Sequence, residues 1–179
     1  MIHKVRDGSW FTRTVNSSTL LGLNVSLLRD VRFRGCDIGD EEVISLAHDC
    51  PYLSGICLHD CGRVTDASIM ALAKWCLQLI AIDMEKCENM ADDGLVGFAS
   101  NCWNVRTANL LDKVDIGHLR RINLSDCTNI TDIGVSAVAC TSRLLNKIDI
   151  SDCYQVTDVG VSAIANNCRE LCYINLYRC

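Results

Sequence analysis

Residues 56–61 read ICLHDC, and apolar Ile56 and Leu58 alternate with Cys57 and His59. A period of two predicts a strand with Ile56 and Leu58 on a core face and the other pair outward. Just downstream, Ile69, Leu72, Ala73 and Cys76 recur at i, i+3, i+4 and i+7, and Leu79 leads on to another apolar run. That spacing predicts an amphipathic helix with one apolar stripe. The stripe returns as Val43, Leu46, Ala47 and Cys50, as Leu95, Phe98, Ala99 and Cys102, and as Val161, Ile164, Ala165 and Cys168.

The helix phrases are near-copies: IGDEEVISLAHDC at 38, VTDASIMALAKWC at 64, MADDGLVGFASNC at 90, ITDIGVSAVACTS at 130 and VTDVGVSAIANNC at 156. A strand-like stretch ending in cysteine precedes each one, and the sequence closes on one more, INLYRC. The strands begin at Val31, Ile56, Ile82, Ile122, Ile148 and Ile174, in steps of 25, 26, 40, 26 and 26. The long step exceeds the regular one by 14, which predicts a short helix-less unit at 108–121, where VDIG echoes the TDIG of a helix start.

No unit of this size buries its apolar side alone, so the units must stack. The expected fold is an α/β solenoid, a right-handed curved horseshoe segment. Helices are wider than the roughly 4.8 Å strand spacing, so parallel strands line the concave face and helices the convex one. Residues 31–179 form about six units, the last uncapped; residues 1–30 read as a degenerate N-terminal repeat or cap with Leu21 and Leu28 in phase. Thr65, Thr131 and Thr157, each followed by Asp, are expected to cap helices, each cap contributing about 1 kcal/mol.

Composition narrows the function classes. With 22% charged and 49% hydrophobic residues the chain suits a globular fold. A net charge of -5 lacks the basic stripe that nucleic acid demands, so no nucleic-acid partner is expected. The opening MIHKVRDGSWFTRTVNSSTL has no apolar signal region, and no long apolar run predicts membrane insertion.

The pattern L-x-L-x-x-C-x-x-[IV]-T-D-x-[GS]-[LIV]-x-x-[LIV]-A-x-x-C, matched in whole or part from Val31 to Cys179, resembles the cysteine-containing leucine-rich repeat. That repeat is the one found in F-box and leucine-rich-repeat proteins and in the related Amn1-like group. The resemblance implies a leucine-rich-repeat solenoid and a protein-binding scaffold. In the F-box family such solenoids recognise substrates for an SCF-type ubiquitin ligase, while an upstream F-box docks a Skp-type adaptor. Residues 1–30 are too short for an F-box, so that adaptor is implied only if an F-box exists outside this chain.

Ten of the thirteen cysteines are phase-locked. Cys36, Cys61, Cys87, Cys127, Cys153 and Cys179 follow the strands, Cys50, Cys76, Cys102 and Cys168 lie on helix stripes, and Cys57, Cys140 and Cys172 fall outside both columns. They read as small buried hydrophobes in a reducing compartment, the cytoplasm or nucleus, rather than as bridges. Cys57, His59 and Cys61 do not make a metal site, because alternate strand residues stand about 6.8 Å apart and do not converge on an ion. Catalytic signatures such as G-x-S-x-G, the phosphate-cradling loop and H-E-x-x-H are missing, so neither catalytic residues nor a cofactor are expected. His3, His48, His59 and His118 read as solvated side chains.

Function then falls to the concave surface. Its outward positions supply the candidate partner-binding residues Arg32, Arg34, His59, Asp60, Asp83, Glu85, Asn123, Ser125, Asp149, Ser151, Asn175 and Tyr177. Acidic residues dominate the middle of this set, so the expected partner is a protein with a basic surface. An accessory subunit held in a larger assembly is the alternative.

Overall fold

In the computed structural model the described residues are 3–4, 10–11, 25–108 and 119–179, with side chains described over 25–101 and 119–179. Strand β1 (His3–Lys4) pairs antiparallel with β2 (Trp10–Phe11), and Phe11 of β2 lies parallel to Arg32. The remaining elements alternate: β3 (Asp30–Arg32), α1 (Asp40–Asp49), β4 (Gly55–Cys57), α2 (Asp66–Trp75), β5 (Ala81–Asp83), α3 (Asp92–Ala108), β6 (Arg121–Asn123), α4 (Asp132–Thr141), β7 (Lys147–Asp149), α5 (Asp158–Asn167) and β8 (Tyr173–Asn175). From β3 onward the strands are parallel, in sequence order, with Val31, Ile56, Ile82, Ile122, Ile148 and Ile174 opposite one another in turn. Each helix packs on the next, so the α/β solenoid expected from the periodicity is the observed fold.

One core runs the length of the stack. Each rung contributes its inward strand residue, the next inward residue, the turn cysteine and one apolar residue beyond, as in Ile122, Leu124, Cys127 and Ile130, all at most 2% exposed. Where the strand ends, one residue turns into the left-handed region: Gly35 at φ 61°, Asp60 at 58°, Lys86 at 61°, Asp126 at 60°, Asp152 at 59° and Arg178 at 58°. Glycine takes that conformation freely and aspartate with modest strain, which accounts for the acidic residue before several of the cysteines.

The cysteines are more than filler. Cys61 Sγ donates to Phe33 O (2.7 Å), Cys87 to Leu58 O (3.2 Å), Cys127 to Met84 O (3.1 Å), Cys153 to Leu124 O (3.1 Å) and Cys179 to Ile150 O (3.0 Å). Each thiol thus satisfies a carbonyl of the preceding unit. Cys172, outside both expected columns, stands where Ser54 stands: the Ser54 hydroxyl donates to Arg29 O at 2.8 Å and the Cys172 thiol to Asn146 O at 3.2 Å. The side chain of Cys102 lies outside those described.

Thr65, Thr131 and Thr157 cap their helices as expected, accepting from the backbone N–H groups of Ala67, Ile133 and Val159 at 3.3, 3.2 and 3.2 Å. The Asp that opens each of α1 to α4 does something else. Asp40 accepts from Thr65 N at 2.9 Å, Asp66 from Ala91 N at 2.8 Å, Asp92 from Thr131 N at 2.9 Å, and Asp132 from Thr157 N at 2.8 Å. These carboxylates clamp one unit to the next rather than capping their own helix.

Two expectations need correction. The short helix-less unit at 108–121 falls mostly on residues outside those described, yet it forms no rung: β5 pairs directly with β6, and Arg120 N and Arg121 N both donate to Ile80 O. Helix α3 runs through Ala108 where α1, α2, α4 and α5 have 10 residues each. The 14 extra residues are therefore inserted after the helix stripe and before Leu119, which fills the same buried position as Leu53, Leu79 and Leu145. The stripe on α5 is also only partly covered: Ile164 and Cys168 are buried, Val161 is half-buried and Ala165 is exposed. No described helix packs against its outer side, and Ile174 on β8 and Leu176 just beyond it are 38% and 37% exposed.

Candidate functional site: the concave sheet

A parallel ladder with one face on the core presents every second side chain outward. The strands begin one residue before the first apolar position, so the concave face carries three columns. The first reads Asp30, Gly55, Ala81, Arg121, Lys147, Tyr173; the second Arg32, Cys57, Asp83, Asn123, Asp149, Asn175; the third Arg34, His59, Glu85, Ser125, Ser151, Tyr177. The first column escaped the sequence reading, which started each strand at its first apolar residue. Its signal was the residue just before that position in every unit.

The second column is engaged in holding the sheet. The Asp83, Asn123, Asp149 and Asn175 side-chain oxygens each accept from the backbone N–H two residues on, at 3.2, 3.0, 3.1 and 3.1 Å. Across strands, Cys57 Sγ donates to Asp83 Oδ2 at 3.4 Å and Asn175 Nδ2 to Asp149 Oδ2 at 3.0 Å. Ser151 Oγ donates to Asp149 Oδ1 at 2.6 Å and lies 2.9 Å from Ser125 Oγ. Glu85 Oε2 accepts from Asn123 Nδ2 at 3.2 Å and faces His59 Nδ1 at 3.1 Å.

His59, read from sequence as a solvated side chain, is only 8% exposed, because Glu85 and the neighbouring rungs enclose it. Asp60 belongs to the left-handed turn beyond the sheet. Tyr177 is 66% exposed at the last rung, where Asn175 is half-buried.

Cys57, His59 and Cys61 do not converge: Cys61 is fully buried on the core side, whereas Cys57 faces outward. A different set does come together. His59, Asp83 and Glu85 each bring one donor atom within 4.8 Å of the others, because His59 lies on the rung next to the one that carries both Asp83 and Glu85. These are the residues that could hold a cation, and the hydrogen bonds just described also account for their proximity. Burial pushes the neighbouring Cys57 thiol up to about 12, so it stays protonated.

A groove of about 410 Å³ opens on the same face. Of the expected site residues it brings together Arg32, Arg34, Asp83 and Asn123; His59, Asp60, Glu85, Ser125, Asp149, Ser151, Asn175 and Tyr177 lie outside its lining. Asp30, Gly55, Ala81, Arg121 and Lys147, all from the first column, complete its walls and floor.

A sequence profile described as "Leucine Rich repeat" matches residues 118–139 and 141–165. No curated protein matches the chain significantly. Among solved structures, 41 chains match, including the yeast protein Rad7 from the crystal structure of its complex with Elc1. That match has 19% identity and a TM-score of 0.64, and it covers 82% of this chain but 36% of the matched one. The fold is thus a leucine-rich-repeat solenoid, and the chain spans little more than a third of that neighbour's length.

Proposed function

We propose that the chain is a non-enzymatic protein-interaction scaffold whose concave sheet receives another protein. The observation carrying this reading is a contrast between two faces of the same strands. Inward positions repeat as Val31, Ile56, Ile82, Ile122, Ile148 and Ile174, while the third outward column runs Arg34, His59, Glu85, Ser125, Ser151 and Tyr177 with little repetition. Repeating residues maintain a solenoid, and non-repeating ones on an extended concave surface give it a partner.

Within that reading, the cysteine-containing repeat pattern favours a substrate-recognition module of an SCF-type ubiquitin ligase, joined to a Skp-type adaptor through an F-box outside this chain. The solenoid of Rad7, found in complex with Elc1, is a precedent for such a shape within an assembly. The thiol columns favour a reducing compartment, cytoplasm or nucleus. The second reading is an accessory subunit held in a larger assembly.

The test is affinity purification with mass spectrometry on the full chain and two variants. Ser125→Arg plants a long side chain on the concave sheet, and Trp75→Ala removes an aromatic that is 40% exposed on a helix. A partner lost with Ser125→Arg and kept with Trp75→Ala supports the scaffold reading; the reverse pattern refutes it. A Skp-type adaptor or ubiquitinated clients among the captured proteins supports the ligase reading, and a stoichiometric complex without them supports the accessory subunit.

A further inference from the structure

The sign of the charge that the concave face offers to a partner depends on which charges are already engaged. Asp83, Asp149 and Glu85 accept hydrogen bonds from Cys57, Ser151 and Asn123 and from the backbone, and Asp30 is paired with Arg32 at 3.1 Å. Of the carboxylates that made a basic partner the expectation, Asp83, Glu85 and Asp149 are therefore committed within the sheet, and Asp60 stands in the turn beyond it.

The cations of the groove are in a different position. Arg34, Arg121 and Lys147 are exposed and make no ion pair among the described residues; Lys147 lies over the Tyr173 ring at 4.4 Å. Arg121 and Lys147 are directly opposite one another in the parallel ladder. Like charges at facing strand positions are destabilising. A sheet that retains such a pair, with Arg32 and Arg34 lining the same groove, carries an arrangement that an anion would relieve.

The depth of the groove comes from Gly55 and Ala81, which put almost no side chain between the Asp30–Arg32 pair and the Arg121–Lys147 pair. Gly55 cannot be larger without disturbance, since a Cβ there would lie 2.7 Å from Asp30 Oδ2. The resulting space admits a few side chains, not a folded domain. Guanidinium groups suit carboxylates, which they bind in a two-pronged fork.

We infer that this groove receives an extended, carboxylate-rich segment of a partner protein, held by Arg34, Arg121 and Lys147. This rests on the scaffold reading above and gives its partner the charge opposite to the one expected from sequence. A nucleic acid fits less well: its continuous negative backbone would run beyond the groove onto a chain whose net charge is -5.

The experiment is fluorescence anisotropy of the full chain with three labelled probes: a short glutamate-rich peptide, its lysine-rich counterpart and a single-stranded oligonucleotide of matching charge. The glutamate peptide is expected to bind, to weaken with added salt, and to bind about tenfold or more weakly to Arg121→Glu/Lys147→Glu. Arg169→Glu, away from the groove, leaves binding unchanged. If the double charge reversal does not fold, Arg121→Gln/Lys147→Gln serves in its place, with folding checked by circular dichroism. Tighter binding of the lysine peptide, oligonucleotide binding as tight as the glutamate peptide, or indifference to both double variants overturns the proposal. If the peptides fail while Ser125→Arg still abolishes capture of a partner, the scaffold stands and only the acidic ligand is lost.

Discussion

The Asp132 carboxylate holds Thr157 at two points, accepting from its hydroxyl at 2.6 Å and from its backbone N–H at 2.8 Å, and its Oδ1 also accepts from Gly160 N at 2.8 Å. One aspartate thereby joins its own helix to the start of the next. Asp40 does the same for Thr65 and Ser68.

The clamp predicts an acid-sensitive stack. The hydroxyl bond from Thr157, then its backbone bond, holds Asp132 below the ordinary value of 3.8. Burial pushes Asp40 up, but the bonds from Ser68 and Thr65 outweigh it and leave Asp40 lowered too. A carboxylate with a lowered folded pKa contributes its stability above the unfolded value and loses it as pH falls through the folded one. Urea midpoints should therefore stay level down to about pH 5 and then drop, since protonation of the clamp begins only near the carboxylate range. Asp40→Asn/Asp132→Asn should begin lower at neutral pH and fall less steeply; parallel curves would remove the clamps from the account.

The same geometry explains the Gly in the T-D-x-G phrase. A Cβ on Gly160 would lie 2.6 Å from Asp132 Oδ1 and 3.1 Å from Val156 Cγ1. Alanine normally favours a helix over glycine by about 1 kcal/mol, yet here overpacking should cost about 1 to 3 kcal/mol. Gly160→Ala is thus expected to lower the thermal midpoint. Gly160→Ser should be milder, because Ser68 holds the equivalent position in α2 and its hydroxyl donates to Asp40. Equal stability of wild type and Gly160→Ala in a melting experiment would contradict the close approach.

Lys86 tests the turn. At φ 61° it occupies the left-handed region, where Gly35 stands in the first unit. Lys86→Gly exchanges relief of that strain for greater freedom of the unfolded chain, so its unfolding free energy should stay within about 1 kcal/mol of wild type. A β-branched residue has no such compensation, and Lys86→Val should cost about 1 to 2 kcal/mol more by denaturant titration. The two variants behaving alike would mean that the turn relaxes.

The inward positions were legible because they repeat. Ile56, Ile82 and Ile122 announced both the strands and their register, and Thr65, Thr131 and Thr157 announced the helix starts. Asp132 was misread as part of its own cap because its partner lies 25 residues ahead, beyond the reach of any local pattern. Arg121 and Lys147 were missed for another reason: a polar residue before an apolar strand looks like a loop until the ladder shows it opposite its neighbour. The inserted residues after α3 were mistaken for a unit because VDIG imitates a helix start, and only the pairing of Ile82 with Ile122 rules out a rung between them.

The thiols give the last test, because burial separates them sharply. Of the twelve described cysteines, Cys140, Cys172 and Cys179 are exposed. Burial pushes Cys61 up to about 11 and Cys87 and Cys153 up to about 12, so the interior column holds almost no thiolate at neutral pH. Alkylation of the native protein near pH 8, mapped by mass spectrometry, should modify Cys140 and Cys172 first and Cys179 more slowly, since Cys179 is also raised and hydrogen-bonded to Ile150 O. Cys61, Cys87, Cys127 and Cys153 should remain unmodified until denaturant is added, and then react together, because each donates to a carbonyl of the unit before it and is freed only when the stack opens. Early labelling of Cys127, whose neighbours on both sides are intact rungs, would mean that the column opens locally rather than as one cooperative unit.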